Sequence, residues 1–256
     1  MPDDVHALAP ERFREEVHSF EFWFQSVEGY LADTGHGHRP DLAETPLAAD
    51  ERERLVTALC NYCVGEVAAL DGASGLIACA PSHLAKIFLS TQVVDEGRHL
   101  EVFLHRLRAL GMRDPERHVE GRASRGLLQF RDRLLQLVAS KDWEAAIFAQ
   151  NVVLESLEFA VFQDHAQTAD AVTADVLRRV IKDERRHIGF GENELGRRLA
   201  AAPQERRRLD ALRAELDRLV IGAVEDTASL LGASLGARAR VGRAYFASVE
   251  RLGFAG

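Results

Sequence analysis

Apolar residues recur three and four positions apart along almost the whole chain. This spacing places them on one face of an α-helix, whereas the strict alternation of a β-strand is nearly absent. Stretches rich in helix-breaking residues, such as DTGHGHRPD at 33–41, separate the periodic runs. The pattern therefore predicts an all-α protein with about eight helices.

The predicted helices begin where a capping residue or a proline precedes an apolar run. The first covers about 11–31, and the following six begin near residues 50, 82, 121, 142, 170 and 203. The glycines near 232 to 236 separate a short last helix. Because no stretch rich in Pro, Gly and Ser marks a linker, we predict one domain over 1–256, with a central bundle at about 50–200 and C-terminal helices at about 203–256.

The acidic balance of the chain argues against nucleic-acid binding. The net charge is -8, whereas phosphate backbones attract a basic face. The first residues, MPDDVHALAPERF, lack the features of a secretory signal, and no apolar run approaches the length that spans a bilayer. We therefore expect a cytoplasmic protein that does not enter a membrane.

The three cysteines, Cys60, Cys63 and Cys79, are too few and too clustered for a disulfide framework. The spacing Cys60-x-x-Cys63 matches a redox or metal pair, but the pair lies in a helical pattern without a second CxxC. We expect buried thiols.

A sequence motif occurs twice in the predicted bundle. DEGRH at 95–99 and DERRH at 183–187 share the pattern Asp-Glu-x-x-His. A lone glutamate within an apolar run, Glu66 in one case and Glu155 in the other, precedes each motif by about thirty residues. The chain therefore contains two helix pairs, each of which offers Glu from one helix and Glu-x-x-His from the next.

These acids share their helix faces with apolar residues, so they are predicted to face the core. An unpaired buried carboxylate costs several kcal/mol or stays protonated, and four of them together require compensation. Two divalent cations would balance four glutamates, and two neutral histidines would complete the ligand set. Oxygen and nitrogen ligands of this kind favour iron or manganese over structural zinc.

Two other features of the sequence bear on the prediction of a metal site. Buried arginines could pair with the acids, but Arg98, Arg185 and Arg186 lie off the predicted Glu/His faces, and no interior arginine is evident. A further Glu-x-x-His, at Glu15 and His18, has no preceding Asp and no partner glutamate, so we assign it to a solvated face.

With these residues the chain resembles the ferritin-like di-iron carboxylate proteins, and among them the ribonucleotide reductase small-subunit group and its oxygenase relatives. The resemblance covers about residues 50–200. It implies a ferritin-like four-helix bundle core with additional helices, in which Asp95 and Asp183 hydrogen-bond the ligand histidines of the opposite half. Glu158 stays open as an alternative ligand, a proton relay or a partner of an arginine. The ligands that the resemblance implies are Glu66, Glu96, His99, Glu155, Glu184 and His187.

Departures from the family pattern bear on function. Phe103 stands where radical-storing subunits carry a tyrosine, which rules out a stable tyrosyl radical at that position. Val180 stands where arylamine N-oxygenases carry an extra histidine. Gly191 occupies the position equivalent to Phe103 in the second half, and we predict a substrate pocket there, lined by Phe103, Phe159 and Phe162. Close helix packing is the alternative explanation for this glycine.

The resemblance implies a non-haem di-iron oxygenase that uses O2 to hydroxylate or N-oxygenate a small organic molecule, with two Fe ions or a Mn/Fe pair. A ferredoxin or flavin reductase would supply electrons, because the chain shows no dinucleotide-binding fingerprint and no cluster-binding cysteines. The resemblance also favours a homodimer. The alternatives are a radical-generating subunit of the reductase type, with a large partner enzyme, and a ferroxidase.

Overall fold

The structure is a computed structural model that describes Trp23, Val27 and residues 37–230 and 234–252. The predicted first helix at 11–31 lies outside these residues, apart from Trp23 and Val27, which are both helical. Within the described ranges the chain forms helices and no β-strand. The prediction of an all-α protein is therefore confirmed.

The helices begin close to the predicted positions. They are α1 (Ala49–Ile77), α2 (His83–Ala109), the short α3 (Pro115–His118), α4 (Arg125–Ala139), α5 (Trp143–His165), α6 (Ala171–Ala201), α7 (Pro203–Leu230) and α8 (Leu235–Arg251).

Side-chain caps explain several of these boundaries. The hydroxyl of Ser82 accepts a hydrogen bond from the backbone N–H of Ala85 at the start of α2, at 3.2 Å. Asp170 accepts from the N–H of Thr173 at 3.0 Å and so caps α6. After α2 the chain turns at Gly111, whose φ of +89° suits glycine. These local signals are encoded in a few adjacent residues, which is why sequence patterns locate them.

The core is a four-helix bundle made of two helix pairs. In one pair α1 packs along α2, and in the other α5 packs along α6. Of the remaining helices, α4 packs against α1 and α7, and α8 packs against α5. The buried apolar residues form two clusters, and each of the four central helices contributes to both of them. In α1, for example, Val64 belongs to one cluster and Ala68 to the other, with Glu66 between them.

Helix α5 corrects one expectation from the sequence. By length and composition it could cross a membrane, so the prediction that no apolar run approaches that length was wrong. Most of the apolar stretch of α5 is buried inside the protein, as expected for the central helix of a bundle. Cys60 and Cys63 are buried free thiols, as predicted, and Cys79 is half-buried.

Candidate metal centre

The structure brings the six predicted ligands together in the middle of the bundle, where all six are fully buried. Their ligand atoms form two groups, and within each group these atoms lie within 4.8 Å of one another. Glu96 and Glu184 belong to both groups. The first group adds Glu66 and His99, and the second adds Glu155 and His187. This is the arrangement of two adjacent cation sites joined by two shared carboxylates.

Both histidines turn the same ring nitrogen toward the carboxylates. His99 Nδ1 lies 3.2 Å from Glu66 Oε2 and 3.2 Å from Glu96 Oε2. His187 Nδ1 lies 3.1 Å from Glu96 Oε1 and 3.4 Å from Glu155 Oε2. The Nδ1 atoms therefore face the centre, and the Nε2 atoms face outward.

The outward nitrogens contact the two predicted aspartates across the bundle. His99 Nε2, on α2, lies 3.2 Å from Asp183 Oδ2 on α6. His187 Nε2, on α6, lies 3.4 Å from Asp95 Oδ2 on α2. A carboxylate on the far ring nitrogen fixes the tautomer and orients the ring. The indole N–H of Trp23 also donates to Asp95 Oδ1 at 3.0 Å.

Two arginines that the sequence analysis placed away from the centre pair with these aspartates. Arg98 forms an ion pair with Asp183, and Arg186 forms one with Asp95. Arg186 is only 4% exposed, so the prediction that no arginine is interior was wrong. The physical reason is that each arginine points away from the glutamates of the cluster and toward the neighbouring helix, where it meets the aspartate of the other motif. The full motif is Asp-Glu-x-Arg-His in both copies, and that repeated arginine was the missed signal.

Arg106 is a further interior arginine, 3% exposed and remote from both motifs. Its guanidinium donates to Thr173 Oγ1 and to Asp170 Oδ1, each at 3.0 Å. It therefore links α2 to the start of α6, and its role is in the fold.

Three buried amides around Glu155 were not anticipated. Gln92 Nε2 donates to Glu155 Oε1 at 2.8 Å and to Glu96 Oε1 at 3.0 Å. Gln150 Nε2 donates to Glu155 Oε1 at 3.0 Å, and Asn151 Nδ2 donates to Gln92 Oε1 at 2.8 Å. Gln150 and Asn151 lie in Phe148–Leu154, where α5 widens into a π-helix directly before Glu155. The polar pair within an apolar run was the available sequence signal.

The buried charges perturb one another strongly. Burial raises the pKa of Glu66 to about 8, although His99 opposes this effect. Burial and the neighbouring carboxylates raise the pKa of Glu155 well above its ordinary value. Burial alone would lower the pKa of His99 and His187, but the surrounding carboxylates raise both well above the usual range. The metal-free cluster therefore holds protons that divalent cations would displace.

Glu158 lies outside both groups of ligand atoms. Its carboxyl packs against Gly65 of α1, where an added Cβ would overlap Glu158 Oε1. Burial and the carboxylates of the cluster raise its pKa well above the ordinary value. Of the two glutamates left open in α5, Glu155 is thus the one that the structure places in the cluster.

At Gly191, where a pocket was predicted, the structure shows close helix packing. An added Cβ on Gly191 would lie 2.6 Å from Asn151 Cβ, so this glycine allows α6 to pack closely on α5. Phe103 is fully buried, and Phe159 lies beneath the guanidinium of Arg185. Only Phe162, of the four predicted residues, lines the large cavity of about 670 Å³ that opens beside α5.

Close packing at Gly191 predicts that alanine destabilises the protein at this position but not at Gly97, another helical glycine. Gly191→Ala should destabilise the protein by about 1–3 kcal/mol, because Asn151 and its backbone leave no space for a methyl group. Gly97→Ala is the matched control. Apart from the backbone of its own helix, no atom of the described residues lies within 4 Å of an added Cβ on Gly97, so alanine there should be neutral or stabilise by up to about 1 kcal/mol. Urea unfolding would measure both, and equal effects would contradict the close packing.

Comparison with known proteins defines the fold. No protein-family model and no curated protein sequence matches the chain. Among solved structures, a variant of R2-like ligand-binding oxidase with an anaerobically reconstituted Mn/Fe cofactor has a TM-score of 0.76 at 16% identity, covering 93% of this chain and 92% of that chain. Another variant, with an Fe/Fe cofactor, has a TM-score of 0.75 at 17% identity, covering 93% and 92%.

A third similar structure is a protein from Synechococcus with aldehyde deformylating oxidase activity. Its TM-score is 0.69 at 20% identity, covering 81% of this chain and 93% of that chain. The chain therefore shares the fold of these structures, a ferritin-like helical bundle, and the predicted bundle is confirmed.

Proposed function

We propose that the chain is an O2-using oxidoreductase that binds two metal ions, Fe/Fe or Mn/Fe, and oxidises a small organic molecule. The observation that carries this proposal is the pair of overlapping ligand groups that share Glu96 and Glu184. The metal pairs named for the R2-like ligand-binding oxidases are consistent with it. The proposed ligands are Glu66, Glu96, His99, Glu155, Glu184 and His187.

The chemistry of the donor set fits two such ions. Glu66 Oε1 is buried and has no hydrogen-bond partner among the described residues. The Nδ1 atoms of His99 and His187 face the glutamates of the cluster, whereas their Nε2 atoms face the aspartates. Four carboxylates and two imidazoles suit Fe or Mn, and two divalent charges would neutralise them. When bound, the metal pair would supply the electrons and coordination positions for reducing O2.

The surrounding residues would hold this site in shape. Asp95 and Asp183 fix the rings of the two histidines, and each aspartate is held in turn by an arginine of the opposite helix pair. Gln92 and Gln150 position Glu155 by donating to one of its oxygens, which leaves the other directed at His187. Phe103 and Phe162 are fully buried, and their rings pack edge to face with centroids 5.7 Å apart.

The cavity beside α5 supports an organic substrate rather than Fe(II) alone, because most of its wall is apolar. We propose hydroxylation or N-oxygenation as the reaction, with a ferredoxin or flavin reductase as the electron donor. A cytoplasmic homodimer is part of the same proposal. Neither a membrane nor a nucleic acid is an expected partner.

Metal loading under nitrogen, followed by exposure to O2, tests the proposal. We expect two Fe(II) ions per chain, O2 consumption and a new optical absorption, and an organic substrate should accelerate the return to the starting spectrum when a reductant is present. Fewer than one metal ion per chain would overturn the metal site. Sustained oxidation of excess Fe(II) without any organic substrate would identify a ferroxidase instead.

A further inference from the structure

The cavity beside α5 has a mostly apolar lining with a few polar side chains. It lies among α1, the second half of α5, α7 and α8, and its apolar lining includes Leu55, Leu157, Val161, Ala223 and Val241. Its volume, about 670 Å³, is in the range of pockets that enclose drug-sized molecules. An apolar molecule of that size would contact this wall through its hydrocarbon surface.

Most polar side chains on the wall already have partners. The hydroxyl of Tyr62 and Nδ1 of His165 are hydrogen-bonded at 2.8 Å. Asn61 Oδ1 accepts from the N–H of Ser124 at 2.8 Å, and Asn61 Nδ2 donates to the carbonyl of Thr57 at 2.9 Å. These groups give the cavity shape, but they have little hydrogen-bonding capacity left for a ligand.

Glu158 is different from them. It lines the cavity and is only 6% exposed, and neither of its carboxyl oxygens has a hydrogen-bond partner in the described part of the chain. It lies one helical turn after Glu155, and its carboxyl packs on Gly65, the residue that precedes Glu66. Glu158 therefore stands between the cavity and the carboxylate cluster. An unpaired buried carboxyl of this kind is costly unless a ligand satisfies it.

The cations on the cavity wall are engaged by other acids. Arg54 pairs with Asp50 at 2.8 Å and Arg240 with Asp164 at 2.6 Å. Arg238 pairs with Glu225 at 2.7 Å. Two divalent ions would neutralise the four glutamates of the cluster, which leaves Glu158 as one uncompensated acid at the inner end of the cavity.

We propose that the cavity binds the substrate as an apolar amine and that Glu158 binds its ammonium group. This inference rests on the proposed function, since it names the substrate class of the same centre. An ammonium group supplies the missing charge and three hydrogen-bond donors. A ligand with a carboxylate head would instead bring a second negative charge to the acids around Glu158.

Binding of three ten-carbon ligands to the full-length protein tests this inference. Decylamine, decan-1-ol and decanoate are compared by isothermal titration calorimetry, with Mn(II)-loaded protein under nitrogen at physiological salt. We expect decylamine to bind at least about tenfold more tightly than the other two, a difference of about 1.4 kcal/mol. Glu158→Gln should remove this preference and leave the affinity for decan-1-ol unchanged.

Two control variants separate the cavity from general attraction of amines to an acidic protein. Glu192→Gln removes a charge on α6 outside the cavity lining, where Glu192 pairs with Arg251, and should keep the preference. Thr227→Trp fills the cavity from α7 and should weaken decylamine and decan-1-ol together. Thermal unfolding followed by circular dichroism verifies that each variant is folded.

Three results would overturn the inference: equal affinity for decylamine and decanoate, an unchanged preference in Glu158→Gln, or no binding of any ligand. The metal content of the loaded protein is measured in parallel. If it falls below one ion per chain, the metal proposal fails by itself, and the same comparison on metal-free protein decides whether the cavity recognises amines.

Discussion

Glu184→Ala should lose both metal ions, whereas Glu66→Ala should keep one of the two. Glu184 contributes a ligand atom to both groups of the centre, and Glu66 contributes to only one. A shared carboxylate ligates two cations at once, so its removal takes one ligand from each cation. It also removes the negative charge that reduces the repulsion between the two cations. Glu96→Ala should behave as Glu184→Ala does, because Glu96 is also shared.

Metal analysis after loading with Mn(II) or Fe(II) under nitrogen measures this difference. Glu192→Ala is the control, since Glu192 lies on the same helix but pairs with Arg251 outside the cluster. It should retain two ions per chain. Glu184→Gln, which keeps the shape of the side chain, separates loss of a ligand from loss of packing. If Glu66→Ala and Glu184→Ala retained the same number of ions, the shared geometry would be contradicted.

The metal-free protein should become less stable as the pH rises from about 5 to 8. Burial raises the pKa of Glu66 to about 8, whereas an unfolded chain gives a glutamate near 4.3. Between these values the folded protein holds a proton that the unfolded chain has released, so its stability falls as the pH increases. His99 and His187, whose pKa values are also raised, act with the same sign above about pH 6.5.

The lowered pKa values do not reverse this trend. Glu184, whose pKa falls to about 2 through its contacts with Glu155 and the histidines despite its burial, contributes stability that is complete above about pH 4.5. One pKa unit corresponds to about 1.4 kcal/mol, so the expected loss is on the order of several kcal/mol. Bound cations displace these protons, and the loaded protein should lack the decline.

Urea unfolding at pH 5, 6.5 and 8, with chelator-treated and Mn(II)-loaded protein, tests the pH dependence. The difference in the free energy of unfolding between the metal-free and the Mn(II)-loaded protein should increase as the pH rises. Glu66→Gln removes one of the titrating groups and should flatten the decline of the metal-free protein. A metal-free protein that gained stability between pH 5 and 8 would contradict the assigned proton occupancy.

The features that sequence could predict are those encoded within one helix. Ser82 and Asp170 cap helices whose first residues follow them directly in the sequence. The three-residue spacing of Glu96 and His99 places both on one face of α2. The repeat of such faces predicted two helix pairs, and the resemblance to di-iron carboxylate proteins implied that the pairs form one bundle. The structure brings the ligand residues of both pairs together.

What sequence could not predict depends on which helices meet. Arg186 is buried because α2 lies beside α6 and places Asp95 within reach. Gly191 faces Asn151, which lies in the π-helical part of α5, rather than open space. The cavity beside Glu158 is built partly by α7 and α8, whose positions against α1 and α5 no motif encodes.

The contacts between the histidines and the opposite aspartates have a consequence for assembly. Each group of ligand atoms contains residues from both helix pairs, and so does each Asp–His and Asp–Arg contact that supports it. Neither pair alone, α1 with α2 or α5 with α6, therefore contains a complete site. If the proposed ions bind, docking of the two halves of the chain and binding of the ions would be thermodynamically coupled, and each ion would hold the two halves together.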